Sequence, residues 1–374
     1  MVNTKAANFK MKIMHFISGV KSGGVEQMLV NYTEKINQHK NVVEYIIYQH
    51  SPNKVSLKKL NDAGNICIRV ADKRTHPIKN FIETYSLIKK YNPDIIHAHM
   101  NLLNFLPLFA GKLNGVKIRI SHSHIAHINI SSRVLEKIFK FLNVLTANFL
   151  LSCGTKAGQY MYGNNRYIVI PNSIDVPQFV FNSEMRLRTR KKLGINQHDI
   201  LLGNIGRLTE QKNQMFLLDI LRRLKIFEQN YKLVIIGSGE KRVEISKMIR
   251  DYGLDKDVLL VSPIKNVAKL YDAMDVFLLP SLYEGFPVSA IEAQVSGLPT
   301  ILSSKIDKSA KIIESTKFDN IDMANDWVKD ISKCHIKNNR QVHVESFSQF
   351  NIENTYTKLY DLYKELFKNG GRKS

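Results

Sequence analysis

The sequence predicts an α/β protein made of two doubly wound domains, each built on a parallel sheet. Three observations carry this prediction. The chain has 374 residues, beyond the ~250 to 300 at which a single hydrophobic core stops growing. From Lys12 onward short apolar runs alternate with longer amphipathic stretches, the pattern of buried strands and their covering helices. That alternation breaks at YIVIPNSIDVPQFVF and then restarts.

In the first half the predicted strands are KIMHFIS, VVEYIIY, ICIRV, DIIHAH, KIRISH and ANFLLSC. Between them GGVEQMLVNYTEKIN, NFIETYSLIKKY and SSRVLEKIFKFLNVL carry Leu, Ile or Phe on one side and polar residues on the other, as surface helices do. The second half repeats the scheme with DILLGNIGRL, KLVIIGSGE, DVLLVSP, DVFLLPS and LPTILSS. Two prolines and a polar break place the linker at Asn172 to Asn182. The expected domains are therefore 1–172 and 173–350, followed by 351–374. The last helix, roughly Ile352 to Phe367, fits either domain and is assigned a return to the N-terminal one. Two such sheets facing each other leave a cleft at the carboxyl ends of their strands, where ligands of these folds bind.

Composition narrows the function classes. With 44% hydrophobic and 23% charged residues the chain is globular rather than disordered. Cys67, Cys153 and Cys334 are too widely spaced for a metal knuckle or a disulfide framework, which points to a reducing cytoplasm. The first ten residues, MVNTKAANFK, lack the apolar core of a signal peptide, and FLNVLTANFLLSCG is shorter than the ~18 residues that span a bilayer. The net charge of 54 − 33 = +21 favours an anionic partner: nucleic acid, a phospholipid surface or phosphorylated small molecules.

Three strand-to-helix loops carry chemistry. Ser22-Gly23-Gly24-Val25-Glu26 follows the first strand, and its adjacent glycines let the backbone approach a ligand at a helix start. Gly206 to Asn213 places Arg207 and Lys212 at a sheet edge, where a bidentate guanidinium and a point charge suit a departing diphosphate. Pro280 to Ala293 holds Glu284 on the loop and Glu292 in the helix, with Pro287 placed to start that helix and aim the amides of Gly285 to Val288 at an anion.

Other features are read more plainly. His97, His99, His122, His124 and His127 include alternate strand residues that share a face, but no cysteine or carboxylate completes a metal set, so active-site and structural roles are expected instead. Asp255-Lys256-Asp257 reads as a solvated turn. Gly237-Ser238-Gly239-Glu240 is half of a dinucleotide fingerprint whose third glycine is replaced by Arg242, so it reads as a helix-starting turn.

The segments SGGVEQ, PNSID, GRLTEQKN and SLYEGFPVSAIEAQVSGLP, the last with seven residues between Glu284 and Glu292, together resemble retaining glycosyltransferases of family GT4 with the GT-B fold. The nearest type is that of bacterial capsular, exopolysaccharide or cell-envelope glycan synthesis. The resemblance runs from about Lys12 to Pro299. Ser173 stands where the family has the glycine of PNGID, and Pro263 where a glycine often stands.

The resemblance implies a catalytic set of His122, Arg207, Lys212 and Glu284. Arg207 and Lys212, beside Gly206, would hold the donor diphosphate, Glu292 the ribose, and Glu284 with Gly285, Phe286, Pro287 and Val288 the transferred sugar. Gly23 and Gly24 would line the donor and acceptor side, and His122 would hydrogen-bond the sugar. The implied donor is a nucleoside diphosphate sugar, taken as a UDP-sugar and bound by the C-terminal domain. The acceptor is a glycan or lipid-linked molecule on the N-terminal domain. No metal or other cofactor is implied, and nucleic acid is not an expected partner. A cytoplasmic enzyme peripheral to an anionic membrane is the expected setting, because Arg133, Lys137 and Lys140 interleave with Phe139, Phe141 and Leu142. The rival readings are a nucleotide-sugar epimerase on the same fold and a basic nucleic-acid-binding protein.

Overall fold

The computed structural model describes residues 10–20, 23–127, 132–264, 266–334 and 340–371. Ser22 and most of the segment MVNTKAANFK lie outside these. The chain forms two compact units, one joining Met1–Ser173 to Phe350–Ser374 and the other running Ile174–Gln349.

The first unit holds β1 (Met11–Phe16), β2 (Val42–Tyr48), β3 (Ile66–Arg69), β4 (Ile95–Ala98), β5 (Ile118–Ser123), β6 (Phe149–Ser152) and β7 (Ile168–Val169). Its sheet order is β3-β2-β1-β4-β5-β6-β7, and every pairing is parallel. The order reverses between β1 and β4, the point where open α/β sheets bind ligands. Helices cover the sheet because their starts are chemically marked: Asn53 accepts from the Val55 and Ser56 amides, and Pro77 opens the helix Pro77–Tyr91. The helix Ile352–Lys368 packs in this unit, with Ile352, Leu359, Tyr360, Tyr363 and Leu366 in the core around Ile13, Ile46 and Ile120.

The second unit holds β8 (Ile200–Ile205), β9 (Tyr231–Ile236), β10 (Val258–Val261), β11 (Val276–Leu279), β12 (Thr300–Ser303) and β13 (Thr316–Asp319). The order is β10-β9-β8-β11-β12-β13, again all parallel, with its reversal between β8 and β11. Leu202, Leu233, Ile235, Leu278 and Ile301 fill one face with Leu217, Leu221 and Trp327 from the helices.

Two strands fall outside the sequence reading. β7 is only the two residues IV, too short to read as a strand, and β13 reads TKFD, which is not an apolar run; each is specified by pairing to its neighbour rather than by its own pattern.

The turn Asp255-Lys256-Asp257 corrects one expectation. Asp257 is not simply solvated: Lys232 and Lys225 pair with its two oxygens at 2.6 and 3.0 Å, and it is largely covered. The two lysines draw it in from separate elements, which the turn sequence does not reveal.

Candidate active site

In the second unit β8 and β11 end side by side, and each hands over to one of the motif loops. The loops are stitched together. The Leu282 amide donates to the Gln211 carbonyl at 2.8 Å, the Gln211 side-chain amide donates to the Tyr283 carbonyl at 2.8 Å, and Lys212 Nζ meets Glu284 Oε1 at 2.6 Å. Lys212 and Glu284, assigned from sequence to phosphate and sugar respectively, thus pair with each other, and Glu284 is buried by the contact. An ammonium has three donors, so Lys212 keeps capacity for a ligand.

Arg207 is held differently. Its carbonyl accepts from the Gln214 side chain at 2.9 Å, while the residue is exposed and has no ion-pair partner among the described residues. The turn Gly237 to Glu240 braces this loop: the Leu208 amide donates to Ser238, and a Cβ on Gly237 or Gly239 would lie 1.9 Å from the Gly206 carbonyl or 2.2 Å from that of Leu208. Those glycines serve backbone packing.

Pro287 is the N-cap residue of the helix Val288–Val295, and the Val288 amide donates back to the Phe286 carbonyl at 3.1 Å. Of the amides expected to face an anion, that of Val288 is therefore already engaged, because the proline bends the chain into an inverse γ-turn. Gly285 and Phe286 precede it on the same loop.

Glu292 lies one turn into that helix. The Tyr271 hydroxyl donates to its Oε2 at 2.6 Å. Burial pushes the carboxyl up to about 7, against the opposing pull of that hydrogen bond. A carboxyl raised above its ordinary 4.5 stabilises the fold fully only below that value, and the contribution is lost as pH rises through about 7. Glu292→Gln is expected to flatten the decline in melting temperature between pH 5 and 8; an unchanged slope rejects the assignment.

In the first unit Gly23 is the N-cap residue of the helix Gly24–Ile36. Ser173, in the glycine position of the motif, shares a 3.0 Å hydrogen bond with the Tyr32 hydroxyl, which also donates to the Pro171 carbonyl at 2.7 Å, so the serine is part of the local packing.

The structure places His122 in β5, with no exposed surface and its Nδ1 3.1 Å from His97 Nε2. His15, His97, His99, His122 and His124 all lie at the carboxyl edge of β1, β4 and β5, and Glu44 Oε1 meets His15 Nε2 at 2.9 Å. Burial, reinforced by neighbouring rings, holds His97, His99 and His122 well below the usual imidazole range; burial pushes His124 down to about 4. Glu44 is a carboxylate at the edge of this cluster, but it touches His15 and none of the histidines singled out from the sequence. His127 stands apart, against the ring of Tyr160.

Sequence reasoning missed His15, Glu44, Tyr271 and Gln211. The available signal for the first two was a polar residue inside strands otherwise apolar enough to be buried on both faces, MKIMHF and VVEYIIY. Nothing local marks Tyr271.

Two Rossmann-like domains, with cationic and acidic side chains gathered where the second sheet reverses, define a GT-B glycosyltransferase. A model of the glycosyl transferases group 1 family matches residues 185–341. The chain is 30% identical over 305 residues to the putative glycosyltransferase EpsF of Bacillus subtilis, covering 79% of each. It is 28% identical over 316 residues to the UDP-Gal:alpha-D-GlcNAc-diphosphoundecaprenol alpha-1,3-galactosyltransferase of Escherichia coli, covering 78% of this chain and 80% of that one. Among solved structures, HepE of Anabaena in complex with UDP and glucose superposes with a TM-score of 0.79 at 15% identity, over 95% of this chain and 100% of that one. The chain belongs to the glycosyl transferases group 1 family and is a glycosyltransferase.

Proposed function

We propose that the protein transfers a hexose-type sugar from a UDP-sugar to a lipid-linked or glycan acceptor in cell-envelope or capsular polysaccharide synthesis, with retention at the anomeric carbon. The observation that carries this reading is the stitching of the Arg207–Lys212 loop to the Glu284 loop at the reversal of the second sheet. A relative named for galactosyl transfer to a diphosphoundecaprenol acceptor and a fold neighbour holding UDP support the donor and acceptor classes.

In this reading the 173–350 domain binds the donor and the 1–172 domain the acceptor. Arg207 and Lys212 stabilise the diphosphate as its negative charge grows, so that no divalent metal is needed for that task. Lys212 leaves Glu284 as the phosphate arrives, freeing the carboxylate for sugar hydroxyls together with the Gly285 and Phe286 amides. Glu292 accepts from the ribose in place of the Tyr271 hydroxyl. The leaving phosphate takes the proton of an acceptor hydroxyl that attacks from the same face. Incubation with a panel of nucleoside diphosphate sugars and a polyprenyl-diphosphate sugar tests the proposal. Nucleotide release from UDP-sugars and an axial or equatorial configuration unchanged in the product are expected; release without a glycosylated product, or inverted product, overturns it.

The helix Arg133–Thr146 supports work at a membrane surface. Val134, Ile138, Phe141 and Leu145 form an exposed apolar stripe at helical spacing, flanked by exposed Arg133 and Lys137. The stripe differs from the one expected: Phe139 stacks on Phe105, and Lys140 pairs with Glu136 at 2.7 Å while lying over the Tyr160 ring. No helix among the described residues is long and apolar enough to cross a membrane. An anionic leaflet complements the +21 charge. Co-sedimentation with phosphatidylglycerol vesicles at low salt is expected and should fall at least fivefold in Phe141→Asp; no binding by the unmodified protein rejects the membrane role.

A further inference from the structure

At the carboxyl edge of the first sheet one lysine is turned inward and meets no carboxylate among the described residues. Lys73 lies in the loop after β3, and its Nζ donates to the Ser18 hydroxyl oxygen at 3.3 Å and to Gln49 Oε1 at 3.1 Å. Ser18 follows β1 and Gln49 follows β2, so the loops of three neighbouring strands converge on one ammonium. Gln49 is buried and its side-chain amide is fixed at both ends. Nε2 donates to Met100 Sδ at 3.2 Å, and Oε1 also accepts from the Lys73 backbone amide at 3.4 Å.

The charge around this point is one-sided. Arg69 donates to the Gln49 carbonyl through Nε at 3.4 Å and to Ser51 Oγ through Nη2 at 3.3 Å, and Arg74 is exposed. None of these three cations forms an ion pair among the described residues. The adjacent Asp72 is engaged elsewhere: its Oδ2 meets His50 Nδ1 at 2.7 Å, and its Oδ1 accepts from the Arg74 amide at 2.8 Å. Burial, with the charge of Arg74 behind it, pushes Lys73 down to about 8. A lysine that needed only water would run its stem outward and keep its head solvated. Held inward by two neutral oxygens, this one keeps a charge that an incoming anion would compensate. Donors remain for that anion. The ammonium has a third N–H, and the Ser18 hydroxyl, which accepts from Lys73, still has its own proton to donate. Ser18 and Lys73 are both half-buried, so a ligand can reach them.

We propose that Ser18 and Lys73, held by Gln49 and flanked by Arg69 and Arg74, form a subsite for a phosphate group of the acceptor. The chemistry selects phosphate over a plain sugar. A sugar hydroxyl needs no cation, whereas a multiply charged oxyanion is matched by a point charge, a hydroxyl donor and two guanidinium groups. In an acceptor whose sugar is joined to a diphosphate, the subsite grips the charged group and leaves the sugar to be presented for transfer. Its effect therefore falls on KM rather than on the chemical step. That the anion belongs to an acceptor rests on the glycosyl-transfer reading; the anion site itself does not.

The test titrates the full chain with geranyl diphosphate by calorimetry, with UDP saturating the donor site and geraniol as the uncharged control. Affinity for the diphosphate is expected to fall at least tenfold in Lys73→Met, with UDP affinity unchanged. An unchanged diphosphate affinity, an equal loss of UDP affinity, or geraniol bound as tightly as its diphosphate overturns the proposal. Should Lys73→Met fail to fold, Ser18→Ala takes its place: a loss of about threefold is expected, and none overturns the subsite. In transfer assays with a polyprenyl-diphosphate sugar, Lys73→Met should raise the acceptor KM about tenfold at unchanged kcat, and Lys73→Arg should recover most of it. Diphosphate binding lost while the acceptor KM keeps its wild-type value would assign the site to a free anion and overturn the acceptor subsite. The expected binding in a protein that transfers no sugar would sink the functional reading and leave the anion site standing.

Discussion

Arg207→Ala is expected to lower turnover by a hundredfold or more without lowering the melting temperature, the scale on which one preorganised transition-state contact is lost. The two readouts separate because of where Arg207 stands. Its side chain is exposed and has no ion-pair partner among the described residues, so removing it leaves no buried charge behind. Lys212→Ala should slow turnover equally but disturb the protein as well, since Glu284 would keep a buried carboxylate without its 2.6 Å partner. Steady-state rates with a saturating nucleotide sugar, read beside thermal melts, check both; wild-type turnover in Arg207→Ala would remove the guanidinium from the mechanism.

Asp275→Asn should cost about 3 to 5 kcal/mol of stability, the range for removing one partner of a buried ion pair. Asp275 opens the segment leading into β11 and receives Arg186 on Oδ1 at 2.5 Å, Arg190 on Oδ2 at 3.0 Å and the Leu201 amide on Oδ2 at 2.7 Å. All three charged side chains are buried. The amide can still accept, but it can no longer balance two guanidinium groups, and one of its own N–H groups faces a donor. Urea unfolding measures the loss. A change under 1 kcal/mol would mean that water reaches the site and screens the charges.

This network also shows where reading the sequence stops. In SEMRLRTRKKL the arginines look like one more basic surface helix, and its apolar face is weak. Arg186 and Arg190 lie one turn apart on the same side, yet that spacing carries no sign of Asp275, which is 85 residues beyond Arg190. The basic stripe of Arg133–Thr146 went astray for a related reason. Phe139 and Lys140 were as suitable for a lipid face as Ile138 and Phe141 until Phe105 and Tyr160 were packed against the first pair.

The sheets themselves were far more legible. DVFLLPS matches β11 to within two residues, because a strand buried on both faces reads as a near-continuous apolar run; KIRISH matches β5 to within a residue on its alternating isoleucines, although Arg119, Ser121 and His122 interrupt it. The loops that follow β8 and β11 were legible too, since glycine, proline and charge at a strand end are local features of the chain.

The sequence alone therefore determined the two doubly wound sheets and the motif loops at their carboxyl ends, for these depend on hydrophobic period and on residues close together along the chain. Tertiary structure alone decided that Lys212 rests on Glu284, that Tyr271 holds Glu292, and that Glu44 borders a cluster of buried histidines. Each of those contacts joins positions from 21 to 84 residues apart, and polar partners at such separations are chosen by the sheet order that brings them together, which no pattern within either segment encodes.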